Sequence, residues 1–387
     1  MKKLLFSLSL IITTITVNAS HLLGGYIQAI QVGTSDTLNV SAVLFSDPQG
    51  IGLPQTLILN EYKLVNGFYQ TTSNVSMTQT TTGTWQGVNV TMWSATIIRT
   101  AGDYRWIYTN CCRGIHTNAS SAMNSNFTMG LDYQKSSIPN TAPILMNFLP
   151  VNWVVGDTAQ SILFAVDPDG DSVLVEMDDA LNQYANGTFV PLSPFSQLGN
   201  YGMYNVDTDG TIEWSPSQLG QFATGFKVSE YRNGSLIGVN RIQQVFLTQN
   251  GSTPNIVNFN PLIQVDLLNG DSTYYATMIS NATSTELIMP DVVVTQMSTS
   301  TWSLDSLQIG TYKGVLRATS NSSNMDFYVN LVVTSTIGVE ELVLNRDMKY
   351  EIYDWNGRHM GTDLKLLNSG WYVIIYENKI VEKIYLQ

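Results

Sequence analysis

The chain has 387 residues, 44% of them hydrophobic and only 12% charged, with a formal net charge of −12. That length allows several domains with real cores, and a surface so poor in Lys and Arg repels phosphates, which excludes nucleic acid as a partner. Ser, Thr and Asn fill the polar positions, and β-branched and aromatic residues abound, a composition that predicts strands rather than helices.

Lys2 and Lys3 precede an apolar run from Leu4 to Val17, and Val17-Asn18-Ala19 supplies the small residues of a cleavage site. Residues 1–19 are therefore expected to be an export signal. The run is shorter than the ~20 apolar residues a bilayer span needs, and no later segment approaches that length, so no transmembrane segment is expected in the mature chain. The residue immediately after Ala19 is Ser20 and not Cys, which argues against a lipid anchor.

Residues 20–138 read as a first β domain. Leu38, Val40, Ala42 and Leu44 recur with the period of a strand, and Leu57 to Leu59, Val88 to Ile98 and Tyr104 to Tyr108 continue the series. Gly33, Asp47 to Gly50, Asn66-Gly67 and Gly102-Asp103 punctuate it. The polar, Pro-containing stretch Ser136 to Pro143 marks a boundary, and residues 139–252 form a second β unit. Asn250 to Pro254 is the next linker, residues 253–336 the third unit, and residues 337–387, richer in Lys and Arg, a small final module. The expected fold class is all-β: tandem immunoglobulin-like β-sandwich domains followed by a small C-terminal β-sandwich module.

Cys111 and Cys112 are the two cysteines. Being adjacent, they cannot staple distant strands of one chain; a strained vicinal disulfide, buried thiols and pairing between chains all stay open. Asp167, Asp169 and Asp171 alternate along a loop, so their carboxylates are candidate ligands for a structural calcium. The competing reading is an Asp-rich turn bonded to its own backbone, and for Asp207 and Asp209 the turn is the stronger reading. No other cofactor is expected. His116 is the one histidine in the body able to act as a base, and no nucleophile elbow or metal-binding helix motif occurs.

The C-terminal stretch carries Ile337-Gly338-Val339-Glu340-Glu341, Tyr350-Glu351-Ile352-Tyr353-Asp354, Asn356-Gly357-Arg358, Asn368-Ser369-Gly370-Trp371-Tyr372-Val373 and Lys383-Ile384-Tyr385-Leu386-Gln387. It resembles the type A sorting domain of type IX secretion substrates. The resemblance makes Tyr353, Asp354, Gly357, Arg358, Gly370, Tyr372 and Lys383 motif residues and the module an address read by the type IX machinery. The opening Ser20-His21-Leu22-Leu23-Gly24-Gly25-Tyr26, with Tyr104-Arg105-Trp106 and Cys111-Cys112-Arg113-Gly114-Ile115, is similar to a recurrent domain of Bacteroidetes surface proteins. In that family a third Cys stands where this chain has Pro48, so a bridge to it would be lost. Asp167-Pro168-Asp169-Gly170-Asp171, Asp207 to Pro216 and Leu219-Gly220-Gln221-Phe222 resemble immunoglobulin-like and cadherin-like repeats, with Gly210 turning the chain and Trp214 plugging a core.

Together these readings imply a secreted, non-catalytic structural or adhesion protein of the cell surface. Its partners would be the export machinery and a surface polysaccharide or another surface protein. A carbohydrate-binding protein is the alternative, with Trp85, Trp93, Trp106 and Trp153 exposed for stacking on sugars; a hydrolase using His116 and carboxylates is the second.

Overall fold

The computed structural model describes residues 22–50, 52–85, 87–111, 113, 116–119, 125–147, 152–185, 187–192, 198–256, 261–266, 273–275, 279–290, 292–298, 301–305, 307–334, 349–354, 358–362, 370–376 and 381–386. The alternating N-terminal sequence forms β1 (Leu22–Gln31), β2 (Thr37–Ser46), β3 (Thr56–Val65), β4 (Phe68–Trp85), β5 (Val88–Ile98), β6 (Gly102–Cys111) and β7 (Asn126–Lys135). Asn66 and Gly67 both adopt positive φ, 52° and 83°, and join β3 to β4 in the tight turn their sequence specifies.

These strands pair antiparallel in the order β1-β2-β5-β4-β3-β6-β7, and the strand Ser235–Gln249 hydrogen-bonds to both β7 and β1. The sheet thus closes into an eight-stranded ring. A ring of that size is just filled by side chains, and here Leu38, Val40, Ala42, Leu44, Trp93 and Trp106 fill it together with Leu57, Met77 and Tyr133. Closure rests on two pairs, Gly24↔Gln244 and Gly25↔Gln243. A Cβ on Gly24 would stand 2.7 Å from the Gln243 carbonyl oxygen, and one on Gly25 2.7 Å from that of Val43, so the strands approach this closely only because both residues lack a side chain. The Asn240 amide adds a bond to the Ile27 carbonyl at 2.6 Å.

The sheet does not stop at residue 138, where the sequence suggested a boundary between two sandwiches. Ser235–Gln249 also pairs with Gly220–Arg232, which pairs in turn with Ser172–Asp178. Across from them lies a second sheet of Ala159–Ile162, Thr211–Pro216 and Gly202–Val206. The core between holds Trp153, Trp214, Phe222, Phe226 and Phe246, and Leu23, Tyr26, Val43 and Phe45 of β1 and β2 belong to it too. Residues 20–138 are a barrel lacking one stave, which the middle segment supplies. A Pro-containing polar stretch marks a loop, and a loop need not end a hydrogen-bonded sheet. Gly210, at φ 95°, makes the expected turn: a Cβ there would stand 2.3 Å from the Leu163 carbonyl.

Beyond residue 254, Leu262–Asp266, Asn324–Thr334, Gly310–Thr319 and Ser284–Ile288 form one sheet, and Thr273–Tyr275, Thr301–Asp305 and Val293–Ser298 another. Trp302, Leu316, Leu331 and Val333 are among the residues packed in this third core. Its anchor to the middle segment is Asp326, fully buried with its partner Arg317; Asp326 also accepts the Ser161 hydroxyl at 2.9 Å and the Ile162 N–H at 3.0 Å. A separate compact unit contains residues 334–387. Its described strands form a sheet in the order His359–Gly361, Tyr350–Asp354, Gly370–Tyr376, Val381–Leu386. The architecture is all-β, with one 3-10 turn at Leu198–Tyr201 among the described residues. No helix among them is long and apolar enough to cross a membrane.

Glu61 of β3 is buried in the barrel wall, yet fully satisfied. It accepts the Trp106 indole N–H at 2.9 Å, Arg99 Nε at 2.7 Å, and the Thr72 and Ser73 hydroxyls at 2.8 and 2.9 Å. Burial alone would raise this acid, but those donors outweigh it and hold the carboxyl below its ordinary value. Its contribution is present above the unfolded carboxyl pKa and is lost as pH falls through the lower folded value. Glu61→Gln is expected to flatten the acid limb of a stability–pH profile followed by urea unfolding. In the same assay Gly25→Val should cost about 1–3 kcal/mol or more by forcing β1 away from its neighbours.

Candidate functional site

The loop Asp167 to Asp171 joins the strands Ala165–Val166 and Ser172–Asp178. One carboxylate oxygen from each of Asp167, Asp169 and Asp171 lies within 4.8 Å of the others, so the three residues singled out in the sequence do converge. Each nevertheless has protein partners. Asp167 Oδ1 accepts the N–H groups of Asp169 and Asp171 at 2.9 and 3.1 Å, an Asx-type turn that Gly170 completes at φ 83°. Asp169 Oδ2 accepts the Thr141 N–H at 2.6 Å. Asp171 takes the guanidinium of Arg232, whose Nε lies 3.0 and 2.9 Å from its two oxygens. Arg232 reaches on to the Asn140 side-chain oxygen at 2.6 Å and the Pro139 carbonyl at 3.3 Å. The loop thus clamps the Pro139–Thr141 connection against the end of Gly220–Arg232, the place where the barrel meets the second core. The carboxylates gather, and most of their capacity goes to the local backbone and one arginine.

Inside the clamp lies Glu230, which sequence reasoning passed over. The available signal was alternation: Phe222, Phe226, Val228 and Glu230 occupy the same face of one strand, three of them in the core. Burial first, and then the Asp167 carboxylate, push the Glu230 acid up to about 8. Asp207 and Asp209 form the turn expected of them, with the Thr211 N–H on Asp209 Oδ1 at 3.0 Å and the Gly210 N–H on the Asp207 carbonyl at 2.9 Å.

Cys111 ends β6, is exposed, and is disulfide-bonded. That sets aside the buried-thiol reading for Cys111; Cys112 lies outside the described residues. Arg113 of the same motif is a buried staple. Its guanidinium donates to the carbonyls of Asn126 and Leu181 at 2.9 and 3.0 Å and to Gln243 Oε1 at 2.8 Å. Burial pushes it down to about 9, which still leaves a cation at neutral pH.

His116 is only 2% exposed and so is not presented to a substrate. Trp93, Trp106 and Trp153 are fully buried, and Trp85 is half-buried beside Arg317, whose guanidinium lies 5.3 Å from its ring centroid. Among the described residues a row of exposed indoles does not form. A charged aromatic ledge unmarked in the sequence lies elsewhere: Asp132 pairs with both Arg105 and Arg241, and Arg105 stacks on Tyr69 at 3.9 Å while both arginines flank Phe189. A cavity of about 350 Å³ opens beside it, lined by Asp178, Asp179 and Phe189 among others. Its guanidiniums are engaged by Asp132 and by ring faces.

In the C-terminal unit, Tyr353, Val373 and Lys383 stand in one register row across three strands, and Asp354, Tyr372 and Ile384 in the next. Tyr372 is buried, and Tyr353 donates its hydroxyl to Glu351 at 2.6 Å. Gly370 opens its strand, Arg358 is exposed, and Gly357 lies outside the described residues.

No family model and no curated protein matches the chain. Among solved structures it is similar to an endo-fucoidan hydrolase of glycoside hydrolase family 107, at 13% identity and a TM-score of 0.17, covering 77% of this chain and 42% of the hydrolase. It is also similar to a three-immunoglobulin-domain segment of titin (8% identity, TM-score 0.16, 81% of this chain and 99% of the segment). The four N-terminal immunoglobulin domains of Dscam1 match at 11% identity and a TM-score of 0.18, over 95% of this chain and 99% of theirs. The chain spans less than half the length of the hydrolase, and likeness at these levels assigns neither an activity nor a ligand to it.

Asp171→Asn should loosen the clamp by weakening the grip on Arg232. We expect a loss of about 1–3 kcal/mol in urea unfolding, with faster hydrogen exchange at the Thr141 amide.

Proposed function

We propose that this chain is a secreted, non-catalytic protein of the bacterial surface, structural or adhesive in role, and that residues 337–387 are its type IX secretion address. The observation that carries the non-catalytic part is the use of its chemistry-bearing side chains. His116 is buried, the indoles of Trp93, Trp106 and Trp153 are spent on cores, and the clustered aspartates hold a loop. A hydrolase would need its base in a cleft beside carboxylates, and a sugar-stacking surface would need exposed rings. The address rests on the motif residues Tyr353, Asp354, Gly357, Arg358, Gly370, Tyr372 and Lys383, in a unit compact apart from the rest of the chain. Residues 1–19 would direct the first export step.

The partners that fit are the type IX machinery during export and, afterwards, a surface polysaccharide or a second surface protein. The Arg105–Asp132–Arg241 ledge, with its exposed cavity, is the most suitable contact face for either.

Expression of the tagged chain in a type IX-competent host, with and without residues 338–387, tests the address. Truncation is expected to remove the protein from the cell surface and the medium and to leave it inside the outer membrane. Unchanged export after truncation would sink the assignment.

A further inference from the structure

Glu230 is 0% exposed, and neither of its carboxylate oxygens has a hydrogen-bond partner among the described residues. A carboxylate so placed is costly, and native proteins pair such groups or give them a metal. Two further buried polar atoms nearby share the condition. Asp167 is 9% exposed; its Oδ1 carries both loop N–H bonds, while its Oδ2 has no partner. Asn140 is 1% exposed; its oxygen is held by Arg232, while its amide nitrogen, close to Glu230, makes no hydrogen bond of acceptable geometry.

The strand explains why Glu230 is there. It follows Phe222, Phe226 and Val228 on one face and stands opposite Gly238, where a Cβ would lie 2.7 Å from Glu230 Oε2. Glycine at 238 makes the room the carboxylate occupies. The neighbouring cation does not relieve the charge, because Arg232 is engaged by Asp171, Asn140 and Pro139. Asp169, Asp171 and Glu230 therefore share one guanidinium as their neighbouring cation, and Asp167 lies beside Glu230. A single shared proton would satisfy one pair of oxygens and leave a third bare.

We propose that Glu230 and the free oxygen of Asp167 bind a hard divalent cation, Ca²⁺, at the seam between the barrel and the second core, with Asp169 and Asp171 flanking the site. The donors are all oxygens and no His or Cys joins them, which favours Ca²⁺ or Mg²⁺ over a transition metal. Ca²⁺ suits it better, since irregular loop carbonyls can complete a site of six to eight ligands where Mg²⁺ demands an octahedron. This is a different arrangement from a three-aspartate loop: its central ligand comes from a strand 59 residues past the last loop aspartate. It also lies beyond the surface role proposed above and does not depend on it.

The test uses the full chain, stripped with EDTA and titrated with CaCl₂ by calorimetry and in thermal melts at neutral pH. Binding of about one equivalent is expected, with a Tm that rises with calcium concentration as mass action requires. Glu230→Gln keeps the shape and removes the charge. It should weaken calcium binding at least ~10-fold and erase the Tm response, while melting no lower than the EDTA-treated wild type because a buried acid group without a hydrogen-bond partner is gone. Absence of both heat and Tm shift in the wild type overturns the proposal, and that titration stands whether or not the variants fold. A Glu230→Gln protein that responds like wild type overturns it as well.

Discussion

A closed ring of strands has no free edge, and it exists only if every stave is present. In this chain the last stave is Ser235–Gln249, which hydrogen-bonds to β7, β1 and Asn152–Val154 along one edge and to Gly220–Arg232 along the other. Two cores are built against one strand. The two glycines at 24 and 25 let β1 come close enough to meet it, and Arg113 ties Gln243 of the same strand to β7. The opening and the Cys-Cys-Arg stretch thus have a mechanical meaning: both serve the closure.

The same closure explains where sequence reasoning succeeded and where it failed. The alternation in β2, β5 and β6 was legible because one face of each is apolar and the other is not. Gly210 and Trp214 were legible because a tight turn and a core plug have strict residue requirements. β4 was not recognised: along its 18 residues only Val75 and Met77 are buried, and a Thr-rich exposed strand reads as a connection. The boundary near residue 138 was misplaced because the pairing that abolishes it joins residues about a hundred positions apart. At the aspartate loop, the gathering of carboxylates followed from spacing alone. Its partners Thr141 and Arg232, 28 and 61 residues away, and the buried Glu230 behind it come from other elements and leave no local mark.

Several polar residues in this protein join one part of it to another. Asp326 fastens the third core to the Ser161–Ile162 backbone, Glu61 binds β3 to β4 and to Trp106, and Arg232 holds the connection that links the barrel to the next strands. A chain with 12% charged residues places a good part of them at seams. The exposed positions of β4 are rich in Thr and Ser.

The late arrival of the closing stave has a temporal side. Any chain made or moved N-terminus first presents β1 through β7 well before residue 249 is available. For that interval the barrel is an open, curled sheet with two unpaired margins, β1 and β7, and an apolar interior accessible from the gap. Such margins invite pairing with other chains. The molecule therefore passes through a stage in which its largest core is unsealed, and the length of that stage is set by how fast the intervening hundred or so residues follow.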